Sequence, residues 1–281
     1  MSFRLGHDAD PLPHLPVEHG RAGDGVGRWV PEMKHTFLAK YVEGTRRARE
    51  KFKQRVYIDL FCGPGRIQVK GETMTRPGGA QVAWQHSLRD DITFTSCLVG
   101  DLDAARASAC AERLRAVGAP AIAFPGAAES TVDQVLGTIP TGALCLAYLD
   151  PYNLQYLSFK VIEKLARLKF VDFAVHFSTM DLRRNVLMEY NPERARFDDA
   201  APGWRQHVDP LAFVRGDADE AFFDYWCGLV RGLGFSISRR MPLVRDEGNR
   251  PLYHLVFFSR HELPNRIWGD VAQGPNREFD F

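Results

Sequence analysis

Three carboxylates of this chain stand where a carboxylate can meet a ligand. Asp59 closes the apolar run 56–60 and is followed by Cys62-Gly63-Pro64-Gly65. Asp101 follows the run 95–100, with Asp103 two positions later. Asp150 follows the run 143–149 and opens the tetrapeptide Asp150-Pro151-Tyr152-Asn153. Gly63 and Gly65 lack a Cβ, so backbone there can take positive φ and approach a ligand closely. Asp59, beside such a turn, can accept a hydrogen bond from a ligand ammonium group. A carboxylate at the end of a second strand typically accepts the ribose hydroxyls of a nucleoside. Asp101 is the first choice for that role and Asp103 the second. Plainer readings exist for each: a capped strand–turn for Asp59, a helix N-cap for Asp101 or Asp103, and a proline turn with a packed tyrosine for Asp150-Pro151-Tyr152.

These groups need elements to hold them. A helix over 32–52 follows from the apolar stripe Met33, Phe37, Leu38 and Tyr41, with Lys34 and His35 near its start and a basic end from Arg46 to Arg55. Residues 68–77 read as a loop, long enough to cover the glycine turn. Helices are expected over 79–88, 104–117, 131–136, 157–168 and 220–232. Strands are expected over 56–60, 95–100, 121–124, 143–149 and 171–177, with a closing pair at 235–243 and 251–259. His176 alternates with apolar neighbours and reads as a core histidine. Residues 190–218 are polar and read as an insertion near the mouth of the site, with Arg183 also at the mouth. Residues 1–27 are rich in Gly, Pro and His without a period and read as a flexible arm. The domain then spans 28–272, with a short docking helix near 265–268 and a loose tail over 273–281.

The pattern D-x-x-C-G-P-G (59–65) resembles motif I of the class I S-adenosylmethionine-dependent methyltransferases, with Phe61 in place of the first glycine. Several stretches together resemble a narrower group, the three-Cys-motif partner proteins. They are MKHTFLAKY (33–41), YIDLFCGPGR (57–66), LDPYN (149–153), VDFAVHFS (171–178) and YHLVFFSRH (253–261), with Trp268 closing the domain. The Lys34-His35 pair is also similar to a pair on the first helix of adenine-N6 rRNA methyltransferases.

The resemblance implies an α/β fold: a Rossmann-like sheet of order 3-2-1-4-5-7-6, strand seven antiparallel, with helices on both faces. It implies S-adenosylmethionine as cofactor and S-adenosylhomocysteine as product. Asp59, Phe61, Cys62, Gly63, Pro64 and Gly65 would hold its methionine part. Asp101 and Leu102 would hold the ribose side, Ala127 and Ala128 would flank the adenine, and Asp150 would border the methyl group. Asp150, Pro151 and Tyr152, helped by Lys34 and His35, would orient the acceptor. An amino group of a nucleobase or of a small metabolite is the acceptor such a tip implies, although the second proline of the D-P-P-Y form is absent here. Two alternatives accompany this reading. One is an accessory protein bound to a radical-SAM-like protein with a three-cysteine motif. The other is transfer of a group other than methyl. A cytosine-C5 enzyme would need a Pro-Cys nucleophile where Asp150-Pro151-Tyr152 stands, so that class is excluded.

Composition narrows the setting. The 281 residues allow one large α/β domain, and a net charge of +1 advertises neither nucleic acid nor membrane. The five cysteines (62, 97, 110, 145 and 227) show no metal spacing. A reducing cytoplasm is the expected location. No apolar run is long enough for a membrane span.

Overall fold

The computed structural model describes residues 9–273. Its strands in chain order are β1 (Arg55–Asp59), β2 (Arg66–Gln68), β3 (Thr75–Pro77), β4 (Ser96–Asp101), β5 (Ala121–Pro125), β6 (Leu144–Leu149), β7 (Phe170–Phe177), β8 (Ser236–Ile237), β9 (Leu243–Arg245) and β10 (Pro251–Ser259). Eight of them form one sheet in the order β5-β4-β1-β6-β7-β10-β8, with β9 also paired to β10. β2 and β3 form a separate hairpin. The five strands from β5 to β7 run parallel, and β10 is antiparallel to both its neighbours on the path. Counted along the path, this is the expected 3-2-1-4-5-7-6 sheet with an inverted seventh strand.

Alternation of side chains explains why β1 has no polar face. Val56, Ile58 and Leu60 enter one core, with Val132, Ile162, Phe222 and Trp226 from the helices Ala128–Thr138, Phe159–Leu165 and Ala218–Gly232. Tyr57 enters the other, with Leu38, Ala83, Leu114 and Trp268 from Thr36–Gly44, Gly79–Ser87, Ala104–Ala116 and Glu262–Ala272. Because β1, β4 and β6 are parallel, Asp59, Asp101 and Asp150 reach the same sheet edge. Among the described residues, no helix is long and apolar enough to cross a membrane.

Several expectations change. The expected helix 32–52 is three pieces: a wide turn Val30–His35, then Thr36–Gly44 and Arg46–Glu50. Thr45 makes the second break, because its hydroxyl bonds the Tyr41 carbonyl at 2.8 Å. The expected loop 68–77 is largely the β2–β3 hairpin. The closing strand 235–243 divides into β8 and β9, with Pro242, which has no N–H to give a ladder, between them. The segment 190–218 is no polar annex: Phe197, Ala200, Ala201, Trp204, Val208 and Ala212 are buried in the core. Its apolar residues are spaced by charges and turns, which hides them from a periodicity search.

The largest change lies in the segment read as a flexible arm. Residues 1–8 of it, and 274–281 of the tail, lie outside the described residues. From residue 9 the segment is a packed strap. It flanks β2, with Glu18 N–H donating to the Arg66 carbonyl (2.9 Å) and Val26 N–H to the Gln68 carbonyl (2.8 Å). Arg113, fully buried, holds it from below. The guanidinium donates to Asp10 (Nε 3.0 Å, Nη2 2.9 Å) and to the carbonyls of Leu12, Leu15 and Pro16. It also reaches the Pro64 carbonyl of the glycine turn at 2.7 Å.

Candidate functional site

A cleft of ≈1190 Å³ opens at the carboxyl edge of the sheet. One end is built by the turn after β1. Gly63 and Gly65 have φ of +58° and +83°, values that an L side chain would resist. A Cβ on Gly65 would also lie 3.1 Å from Cys110 Cα. Phe61, Cys62, Pro64 and both glycines line the cleft. Cys62 is buried and its thiol bonds the Gly63 carbonyl; burial, then Cys110, pushes its pKa up, which suits a filler and not a nucleophile.

Asp101 ties the turn to β4. Its Oδ2 accepts from Gly63 N–H at 3.1 Å and its Oδ1 from Asp103 N–H at 2.9 Å. Asp103 caps Ala104–Ala116 by accepting from Ala105 and Arg106 N–H, so the capping role falls to Asp103 and Asp101 faces the cleft. Leu102 is exposed on the rim, and Ala127 and Ala128 form part of the wall at the start of Ala128–Thr138. Glu18 and Arg21 of the strap also line the cleft.

Asp59 is not among the cleft walls. It sits behind the turn, where Oδ1 accepts from Phe61 N–H at 3.0 Å and Oδ2 from the Tyr57 hydroxyl at 3.2 Å. Burial, with Asp150 adding, pushes its pKa up to about 8. A carboxyl with a raised folded pKa holds a proton that the unfolded chain has lost between about pH 4 and 8, so stability falls as pH climbs through that window. Asp59→Asn is therefore expected to stabilise the protein most above about pH 8 and to flatten this slope. Thermal unfolding across that range checks it; an equal shift at every pH would contradict it.

The other end of the cleft is organised by Asp150. Its Oδ2 pairs with Lys34 Nζ at 2.6 Å and its Oδ1 with His176 Nδ1 at 2.7 Å. Burial opposes the charge on Asp150, and Lys34 and His176 outweigh it, holding the carboxyl well below its usual range. Pro151 is a buried part of the wall, and Tyr152 is exposed with Arg21 5.6 Å over its ring. His35 lines the same end; burial, with Lys34 adding, pushes its pKa down to about 3, so it is neutral. Arg183 is absent from the walls and pairs with Asp219.

His176 reads from the sequence as a core histidine, and the structure places it on the cleft wall. Parallel pairing places Leu149 opposite Val175, so the next residues, Asp150 and His176, come side by side. Val171, Phe173, Val175 and Phe177 enter the first core, leaving Asp172 and His176 on the opposite face. The Tyr41 hydroxyl meets Asp172 at 2.9 Å, as Lys34 meets Asp150 beside His176. Lys34 and Tyr41 are two helical turns apart, roughly 10 Å, close to the roughly 13 Å spanned by four strand residues. That matched spacing is the signal that sequence reading could have used. Burial pushes the His176 pKa down, against Asp150, so the ring is neutral. An ionised Asp150 can only accept, so Nδ1 carries the hydrogen and Nε2 carries the lone pair. Nε2 is buried with no partner among the described residues. The same holds for the hydroxyl of Tyr253, whose ring centre lies 3.8 Å from that of His176.

No family model and no curated protein matches the sequence. Solved structures do. An O-methyltransferase from Bacillus cereus, in complex with S-adenosylhomocysteine, aligns over 89% of this chain and 86% of its own at 7% identity and a TM-score of 0.46. A protein from Legionella pneumophila aligns over 87% and 94% at 11% identity and 0.49. A geranyl diphosphate C-methyltransferase from Streptomyces coelicolor aligns over 92% of each chain at 14% identity and 0.33. The sheet order decides the architecture by itself. The fold is the Rossmann-like sheet of class I methyltransferases.

Proposed function

We propose that this chain is an S-adenosylmethionine-dependent methyltransferase. The observation that carries this reading is the continuity of the cleft. One cavity joins the glycine turn and Asp101 to the Asp150 tip, so a nucleoside at one end and an acceptor at the other share one space. The residues fit the cofactor. Gly63 and Gly65 give a bare backbone cradle, Asp101 offers a carboxylate for ribose hydroxyls, and Ala127 and Ala128 leave room for a flat base. When bound, S-adenosylmethionine would supply an electrophilic methyl group and leave as S-adenosylhomocysteine.

The protein's part is positioning and exclusion of water. The Arg113-anchored strap walls one side of the cleft, and Lys34 and His176 fix Asp150. An amino acceptor would hydrogen-bond to Asp150 and a proline carbonyl. Here both Asp150 oxygens already face nitrogens within 2.7 Å, so an amine would meet only their remaining lone pairs.

Isothermal titration with S-adenosylmethionine and S-adenosylhomocysteine tests the reading. Micromolar binding of both is expected. Asp101→Ala should weaken it by about 10–100-fold, or about 1.4–2.7 kcal/mol, the size of a lost charge-assisted hydrogen bond. Unchanged affinity in that variant would remove Asp101 from the cofactor site.

A further inference from the structure

We propose that His176, oriented by Asp150, is a general base that takes a proton on Nε2 from a hydroxyl acceptor. The proposal rests on the methyl-transfer reading above and adds the acceptor class. The geometry is that of an aspartate–imidazole pair at the wall of the cleft, with Nδ1–H donating to Asp150 Oδ1 at 2.7 Å. The other ring nitrogen, Nε2, is left as a lone pair, buried and without a donor among the described residues. A buried acceptor left unmet is costly, and a ligand O–H would meet it. Tyr253 brings a hydroxyl equally without a partner, and Lys34 brings N–H donors, both lining the same end. This set suits an oxygen that gains negative charge as its proton leaves.

The chemistry separates acceptor classes. An amine attacks with its own lone pair and sheds a proton afterwards. A carboxylate arrives ionised and needs no base. A hydroxyl must lose its proton as the new bond forms, which is the service a positioned imidazole gives. In the balanced step the acceptor oxygen bonds to the methyl carbon, and the carbon–sulfur bond breaks with its pair left on sulfur. The hydroxyl proton passes to His176 Nε2. The imidazolium then sits against the Asp150 carboxylate until water takes the proton.

The test uses 4-nitrophenol, whose ionised form absorbs in the visible. It is added to the full-length protein saturated with S-adenosylhomocysteine, two units below the probe's own pKa. A bound phenolate band at least tenfold above the buffer control is expected. His176→Asn, whose amide N–H takes the place of Nδ1–H toward Asp150, should lose the band while retaining S-adenosylhomocysteine affinity and melting temperature. Should His176→Asn not fold, Asp150→Asn takes its place. With its amide oxygen on Lys34 it turns an N–H toward Nδ1, so the ring hydrogen moves to Nε2 and the band should fall at least tenfold. No band in the wild type with S-adenosylhomocysteine bound, or a band that survives either folded variant, overturns the base assignment and leaves methyl transfer standing. No binding of S-adenosylhomocysteine to the wild type overturns both.

Discussion

Arg113→Met is expected to destabilise the protein by about 3–5 kcal/mol and to release the strap. The apolar stem of Met fills the space of the arginine stem, so the loss isolates the guanidinium. Without it the Asp10 carboxylate, 9% exposed, loses its hydrogen-bonded cation and keeps only the charge of Arg66 nearby. The carbonyls of Leu12, Leu15, Pro16 and Pro64 each lose a donor at 3.2 Å or less. The half-buried carboxylate that loses its bidentate partner and the four orphaned carbonyls share the effect. The urea midpoint should fall accordingly, and residues 10–26 should become the first site of limited proteolysis. Because Pro64 belongs to the glycine turn, cofactor affinity should fall as well. A change under about 1 kcal/mol with the strap still protected would show that Arg113 does not hold it.

Asp150→Ala should have an effect of similar size, for a different reason. It strands two groups together: the Lys34 ammonium, 10% exposed at its side chain, and the His176 ring, 11% exposed. Breaking one side of a buried pair typically costs 3–5 kcal/mol. Removing Lys34 as well, in Asp150→Ala/Lys34→Met, should return part of that. A double-mutant cycle is therefore expected to depart from additivity by at least about 1 kcal/mol. The pH dependence has a definite sign. Asp150 has a folded pKa below its unfolded value of about 3.9, so its contribution is full above that value. It is lost as pH falls below about 4 toward the folded value, and the gap between wild type and variant should narrow there. Additive single effects, or a gap constant with pH, would mean that the carboxylate and ammonium do not act as a pair.

The two ends of the cleft were legible to different degrees. Asp59, Asp101 and Asp150 each end an apolar run, and parallel strands must bring such ends to one edge, so their neighbourhood followed from the sequence. The division of labour did not. Asp101 and Asp103 are both able to cap a helix, and only the backbone decides that Asp103 caps while Asp101 reaches Gly63 N–H. His176 was hidden because alternation along one strand cannot tell a core face from a site face; that needs the register between β6 and β7. The strap was hidden because its partners are backbone groups of β2 and two arginines, Arg106 and Arg113, 88 and 103 positions from the residues they bind, and neither kind of partner leaves a periodic trace.

The position of β10 has a consequence for the chain as it is made. β10 lies between β7 and β8, yet it is the last of this sheet's strands to leave the ribosome. Until residues 251–259 emerge, β7 has no neighbour on one side, and β8, only two residues long, has no sheet to join. At about 5–20 residues per second, the roughly 80 residues between the end of β7 and the end of β10 leave that edge open for roughly 4–16 s. An unpaired edge beside Phe173 and Phe177 is a template for wrong pairing. The nascent protein is thus most exposed to aggregation, and most in need of a holding chaperone, after nearly all of its cleft has been synthesised.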